Sequence, residues 1–444
     1  MSWEIRQGDC LEVLADLEPD SIDAIVTDPP YGLGFMGKAW DALPPGREWA
    51  GLCLRVLKPG GHMVAFGGSR TYHRLAVAVE DAGFEIRDQI MWLYGSGFPK
   101  SLDVSKAIDK AAGVEFEASP AEGVGFMGPE GPGGYNPTRN HLRRTGDSTA
   151  EAQKWQGWGT ALKPAHEPIV LARKPIVGTV AGNVLEHGTG GLNVDGCRIG
   201  QRDARQLNRN VSIGYGGSEP QGMVLDGGEG RWPANLILDP EAGTILDEQS
   251  GESKTKRIES DCQMTPGTGW SKHSDEGGAS RFFYTAKASR AERNAGLENT
   301  EGKRIGAKGN GMARTCLSCG ASVLDGCDCP DRTFENPVRK NHHPTVKPID
   351  VMRWLVRLVT PAGGTVLDPF TGSGTTGIAA ALEGFNFVGV EREPEYRQIA
   401  VARMEWWGQH RGDTADILFR AGLADKAKKR HDEAGQLGLL EDAA

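Results

Sequence analysis

Three groups of residues in this sequence have the types and spacing to do chemistry. The first is Asp28-Pro29-Pro30-Tyr31, which follows the short apolar run Ile22–Val26. An exocyclic amine on adenine or cytosine is a poor nucleophile, because its lone pair is delocalised into the ring. A carboxylate and a backbone carbonyl that accept its two N–H bonds would localise that lone pair and hold it toward a methyl donor. Asp28 and the Pro29 carbonyl, kept out of ladder pairing by Pro29 and Pro30, suit that task. Tyr31 offers a flat face on which a base that has left its duplex can stack. The bland alternative is an ordinary Pro-Pro turn at a strand end.

The second group runs from Val366 to Gly377, a strand that enters a Gly-rich turn and then a helix. Gly372, Gly374 and Gly377 satisfy G-x-G-x-x-G, and Glu391 closes the next apolar run, where an acid can accept from ribose hydroxyls. The same geometry serves a dinucleotide or S-adenosylmethionine. The third group is Cys316 and Cys319 followed by Cys327 and Cys329. Four thiolates at that spacing can close on one tetrahedral zinc, leaving no open position for catalysis; free thiols are the alternative. No Pro-Cys dipeptide occurs, so covalent attack by cysteine on a cytosine ring carbon has no candidate of the usual sort.

The elements that must position these groups lie at the two ends of the chain. Up to about residue 100, and again from about 339, short apolar strands alternate with helices: Ile22–Val26, Glu48–Leu57, His62–Phe66, Tyr72–Ala82 and Glu85–Leu93, then Ile349–Val359, Gly364–Leu367, Gly374–Leu382, Phe385–Val390 and Pro394–Trp407. That rhythm predicts a mostly parallel, doubly wound α/β sheet. Between the two ends the rhythm fails. Glycine makes up 62 of 444 residues, about twice the ordinary share, and Gly/Pro-rich stretches dominate, with islands of order at His166–Ala172 and Trp232–Leu238. The formal charge of −9 excludes a globally basic nucleic-acid binder but leaves room for a basic groove. Neither a membrane span nor a secretory leader is expected, so the reading is soluble and cytoplasmic.

Taken together, the motifs resemble those of the DNA amino-methyltransferases of the beta order, in which the Asp-Pro-Pro-Tyr motif precedes the target-recognition region and the cofactor motif follows it. The resemblance covers both α/β ends: Gly8-Asp9-Cys10, Asp28–Tyr31, Leu57-Lys-Pro-Gly-Gly61, His343-Pro-Thr-Val-Lys-Pro348 and Asp368-Pro-Phe-Thr-Gly-Ser-Gly374. It implies a circularly permuted Rossmann-like methyltransferase sheet with a large Gly-rich, zinc-bearing insert. The divisions are a catalytic half at 1–112, an insert at 113–338 with the target-recognition region, one further sheet strand near 166–172 and the cysteine site at 316–329, a cofactor half at 339–410, and a tail at 411–444. By the same resemblance Asp368, Phe370, Gly372 and Gly374 wrap the methionine part of S-adenosylmethionine, Thr345 and Lys347 approach its carboxylate, Glu391 holds the ribose, and Asp9 and Cys10 flank its adenine. The family often has Asp where Glu391 stands.

The implied activity is methylation of a flipped adenine in double-stranded DNA, with adenine favoured over cytosine because the family's cytosine enzymes more often begin the motif with Ser. A homodimer and a cognate restriction nuclease stay open as partners. The competing readings are the same chemistry on the cytosine amine, a methylase of RNA or of protein glutamine, a nicotinamide dehydrogenase, and a catalytically idle zinc-bearing DNA-binding protein.

Overall fold

The computed structural model describes residues 1–33, 44–95, 97, 101–119, 141–144, 147–199, 230–254, 276–286, 290–298, 300–304, 315–316, 334–335, 338–410, 412–414, 417–418 and 421. Cys319, Cys327 and Cys329 lie outside these, as does most of the expected tail, and of Cys316 only the backbone is described. The chain divides into two compact units, one of residues 1–95, 166–297 and 345–444 and the other of 96–165 and 298–344.

The first unit is built on a nine-stranded sheet. Its strands are β1 (Trp3–Gln7), β2 (Ile22–Thr27), β3 (Leu57–Phe66), β4 (Glu85–Leu93), β5 (His166–Arg173), β6 (Leu236–Leu238), β7 (Tyr284–Thr285), β8 (Thr365–Asp368) and β9 (Asn386–Glu391). Their spatial order is β1-β9-β8-β2-β3-β5-β4-β6-β7, so the two C-terminal strands slot between β1 and β2. All neighbours run parallel except β5, which is antiparallel to both β3 and β4. The stretch 113–338 thus contributes three strands to the sheet, where the sequence suggested one near 166–172 and a second ending at Leu238. β3 also begins earlier than expected, at Leu57, because Leu57 pairs with Ile22 across an irregularity in the ladder.

Strand residues alternate between two apolar layers, as a period of two demands. Ala24, Val26, Val64, Phe66, Ile169 and Leu171 face one layer, and Ile25, Met63, Ala65, Val170 and Ala172 face the other. Helices Ile349–Val359, Thr375–Glu383 and Pro394–Gly408 cover the first face, and Cys10–Asp16, Arg47–Val56 and Tyr72–Asp81 cover the second. Both faces being covered explains why the strands read as near-continuous apolar runs.

The second unit contains the helix Val104–Ala111 and the short helix Ala150–Lys154. Asp109 joins them, its carboxylate accepting from the Ser148 and Thr149 hydroxyls and the Thr149 N–H, all at 2.9 Å. Small antiparallel ribbons pair Phe116–Ser119 with His141–Arg144, Lys303–Arg304 with Val338–Arg339, and Thr315–Cys316 with Phe334–Glu335.

Gly377, the last glycine of the Gly-rich motif, lets Thr375–Glu383 pack closely on β9 and on the helix Pro394–Gly408. A Cβ there would stand 2.5 Å from Met404 Sδ and 2.6 Å from Phe387 Cε1. Gly377→Ala should therefore destabilise the protein by about 1–3 kcal/mol through overpacking, read as a lower urea midpoint. An unchanged midpoint would show that this helix can move off the sheet freely.

Candidate active site

Strand direction decides which side chains meet. The carboxyl ends of parallel strands share one rim of the sheet, and ligands of open α/β sheets bind there. Asp28 follows β2, Asp368 ends β8 and Glu391 ends β9, so all three stand on that rim. Because β5 runs the other way, its first residues also reach it: Glu167 pairs with Trp92 near the end of β4.

A charge cluster on the rim surrounds Lys347, a nearly buried lysine just before the helix Ile349–Val359. Its Nζ lies 2.6 Å from Asp28 Oδ2, 3.3 Å from Glu167 Oε2 and 3.1 Å from the Tyr31 hydroxyl. The same ammonium sits 4.9 Å from the Phe66 ring centroid and 5.3 Å from that of Tyr31, within cation–π range. The Tyr31 hydroxyl is 2.9 Å from both Asp28 Oδ1 and Glu167 Oε2. Burial pulls the Lys347 ammonium toward neutrality, but the Asp28 and Glu167 charges outweigh it and hold its pKa above the ordinary lysine value. Burial and the same two carboxylates push the Tyr31 phenol well up, so it stays protonated. The turn itself is tied down by Thr71, whose hydroxyl donates to the Tyr31 carbonyl at 2.6 Å.

Asp368 is the joint between this cluster and the Gly-rich turn. Its Oδ1 accepts from the Thr27 hydroxyl at 2.6 Å and from the Phe370 N–H at 3.0 Å, and its Oδ2 accepts from the Thr376 hydroxyl at 2.6 Å. Burial still raises its pKa to about 6. The turn passes through left-handed backbone at Gly372 and Gly374 (φ 54° and 82°), which a glycine adopts without steric cost. Glu391 closes the far side: its Oε2 accepts from the Gly372 N–H at 2.7 Å and its Oε1 from the Glu393 N–H at 2.8 Å. Each oxygen keeps a second lone pair, so the carboxylate can accept two further donors a diol's width apart. Asp9 caps the helix Cys10–Asp16 through the Leu11 N–H at 2.9 Å, and the Gly8 N–H bonds the Glu391 carbonyl. Cys10 is half-buried, its thiol pushed up to about 12 chiefly by burial, so it stands at the rim as a neutral surface. Thr345 is exposed two residues before Lys347.

Residues 22–402 of this chain match the family model described as DNA methylase, that of the N6/N4 type. The chain belongs to the N6/N4 DNA methylase family. Among curated relatives it is 40% identical over 106 residues to the type II methyltransferase M.BglI of Bacillus subtilis, a stretch covering 23% of this chain and 29% of the relative. It is 24% identical over 235 residues to M.HindIII of Haemophilus influenzae, covering 43% and 64%. The aligned part thus spans less than two thirds of either relative. Among solved structures, the complex of M1.HpyAVI with SAM aligns over 90% of this chain and 98% of its own, at 16% identity and a TM-score of 0.37.

Within this family frame, the described structure brings Asp28, Pro29, Pro30 and Tyr31 together with Lys347, and Asp368, Phe370, Gly372 and Gly374 together with Glu391. Lys347 is not free to await an anion, since Asp28 and Glu167 hold it. Two residues escaped the sequence reading. Glu167 carries only a weak signal, an acid at the head of an apolar run. Arg403 carries none: it lies in the middle of Pro394–Gly408, is 0% exposed, and donates to the Ser373 carbonyl at 2.6 Å and the Glu292 carbonyl at 3.3 Å, buttressing the Gly-rich turn from below.

Glu391 is 9% exposed, and burial raises its pKa to about 7 against the Glu393 and Gly372 N–H donors, which lower it. The folded protein therefore holds this proton more tightly than the unfolded chain, whose value is 4.5. The stability it contributes is full below that value and is lost as pH rises through about 7. Glu391→Gln should flatten the fall in unfolding free energy between pH 5 and 8, by roughly 1–3 kcal/mol. Parallel curves for the two proteins, by urea titration, would contradict the assignment.

Proposed function

We propose that this protein transfers a methyl group from S-adenosylmethionine to the exocyclic amine of an adenine flipped out of double-stranded DNA. The observation that carries the reading is the 2.6 Å bond between Thr27 and Asp368. It sets Asp28, the next residue, directly beside the Gly-rich turn, so an amine acceptor and a cofactor cradle share one rim. Adenine is preferred to cytosine because the motif begins with Asp28, and the cytosine amine is the alternative.

The acceptor set fits the methyl donor. Glu391 has the lone pairs for two ribose hydroxyls, Gly372 and Gly374 let the backbone approach the methionine part beside Asp368 and Phe370, and Asp9 with Cys10 flanks the adenine. When bound, S-adenosylmethionine supplies a methyl carbon made electrophilic by its sulfonium. Asp28 and the Pro29 carbonyl take the two amine hydrogens, and the Tyr31 ring stacks on the base. Lys347 holds Asp28 in place, which leaves Thr345 and the turn backbone to meet the donor's carboxylate. The permuted order of the two halves is supported by the insertion of β8 and β9 between β1 and β2. DNA reading belongs to the 113–338 region, where the second unit exposes Trp155 and Trp158.

Asp28→Ala removes a contact needed mainly as the amine becomes nucleophilic, so the loss should fall on the chemical step. In single turnover with labelled donor and mixed-sequence duplex, methyl transfer should drop at least about a hundredfold, while S-adenosylmethionine affinity stays within about twofold of wild type. Near-normal transfer by a folded Asp28→Ala protein would place the chemistry elsewhere.

Cys316, Cys319, Cys327 and Cys329 are proposed to hold one structural zinc. Support comes from the ribbon of Thr315–Cys316 with Phe334–Glu335, which brings the two ends of the cysteine-bearing segment together. Metal analysis should find about one zinc per chain, and Cys319→Ser should weaken DNA binding before it weakens donor binding. A metal-free protein with four freely reactive thiols would end this proposal.

A further inference from the structure

The Tyr31 hydroxyl has two carboxylate acceptors and one proton to give them. The Lys347 ammonium has three N–H bonds, and three oxygens lie within reach: Asp28 Oδ2 at 2.6 Å, the Tyr31 hydroxyl at 3.1 Å and Glu167 Oε2 at 3.3 Å. Two of these contacts are hydrogen bonds, to Asp28 and to Tyr31, and the third is an ion pair. One further proton remains, that of the Tyr31 hydroxyl, and two carboxylate oxygens compete for it, Asp28 Oδ1 and Glu167 Oε2, each 2.9 Å away. With both carboxylates ionised, one of these short contacts is lone pair against lone pair. A second proton placed on the line Asp28–Tyr31–Glu167 would turn it into a hydrogen bond. The geometry has room for one more proton than the ionised site holds.

Methylation of an amine produces that proton. Resting on the base-methylation reading above, we propose that Glu167 is a relay residue that receives the proton leaving the methylated amine, passed from Asp28 through the Tyr31 hydroxyl. The steps balance. The amine nitrogen forms its bond to the methyl carbon as the carbon–sulfur bond breaks, with its electron pair going to sulfur and neutralising the sulfonium. As the nitrogen–carbon bond forms, the nitrogen, conjugated to an electron-poor ring, becomes cationic and strongly acidic, and it gives a proton to Asp28 in the same step, so the relay bears on the rate of transfer. Asp28 passes a proton from Oδ1 to the Tyr31 oxygen as Tyr31 gives its own to Glu167 Oε2, so Asp28 and Tyr31 return to their starting states. Glu167 ends neutral, and its side chain is 21% exposed, which opens a way to solvent. The titratable groups facing Glu167 are Asp28, Tyr31 and Lys347, with Tyr94 just beyond β4. Burial first, then the Glu167 charge, pushes the Tyr94 phenol up to about 12, which keeps it out of the exchange.

The relay explains a position that packing alone does not. Glu167 stands just before the buried stretch Pro168–Arg173, and apolar packing there gives a carboxylate nothing. It reaches this rim because β5 alone, among β1–β5, runs against its neighbours.

The test is a double-mutant cycle on the single-turnover rate of methyl transfer to DNA. Tyr31→Phe keeps the stacking face and removes only the hydroxyl, and Glu167→Gln removes only the charge. Each should slow transfer by about ten- to a hundredfold, with S-adenosylmethionine and DNA affinities within about twofold of wild type. The double variant should be no slower than the slower single one, because both cut the same path. Formate should restore part of the rate of Glu167→Ala by supplying a carboxylate, an effect that a purely structural role would not show. Wild-type rate in either single variant, losses that multiply in the double, or no rescue by formate would overturn the relay. Its failure is separable from failure of the base-methylation reading: wild-type rate in Tyr31→Phe or Glu167→Gln overturns the relay alone, whereas a wild-type protein that labels no base amine overturns the reading on which it rests.

Discussion

A single buried ammonium organises the rim. Lys347 Nζ ties together the end of β2, the start of β5 and the segment that leads into Ile349–Val359. A lysine this enclosed is tolerated because carboxylates stand beside it, and removing Lys347 would leave two enclosed carboxylates facing each other without compensation. Asp28 and Glu167 are in turn carboxylates in an enclosed place, close enough to repel each other without the cation between them. The three charges therefore specify one another, and the ends of three chain segments are fixed by a mutual requirement that hydrophobic packing could not impose with the same directionality.

The second constraint is Asp368. Its three bonds, to Thr27, Phe370 and Thr376, fasten β2 to β8 and β8 to the helix that follows. The turn they enclose is supported below by Arg403 and closed at its far side by Glu391. The proposed amine-binding and donor-binding ends of the site are thus held by adjacent residues, Thr27 and Asp28, on one strand end. Methyl transfer needs a reacting nitrogen and carbon brought to near contact, and a shared strand end gives that spacing little freedom to drift. Membership of the N6/N4 DNA methylase family is what these two constraints are expected to serve, and the described residues contain no helix long and apolar enough to cross a membrane.

Much of this was legible in the sequence, for reasons that can be named. Asp28–Tyr31 and the Gly372–Gly374 turn are local: their chemistry is written in consecutive residues, and the helix and strand periods around them place them at strand ends. Glu167 was not legible, because its role depends on the direction of β5, a non-local pairing that no local pattern encodes. Lys347 was legible as a functional cation but not as to its partners, since Asp28 lies 319 residues away in the chain. Arg403 was invisible, being one charged residue within a helix whose apolar periodicity is weak. Sequence patterns exposed the residues that act within a turn, and missed those that act across the sheet.

The most direct test of the account is where a labelled methyl group goes. Wild-type protein is incubated with labelled S-adenosylmethionine and mixed-sequence duplex DNA, and the nucleosides are separated by mass. Label is expected on the exocyclic nitrogen of adenine, as N6-methyladenine, and is expected to be absent when Asp28 is replaced by Ala. Label on a cytosine ring carbon, or on no nucleoside at all, would contradict the account.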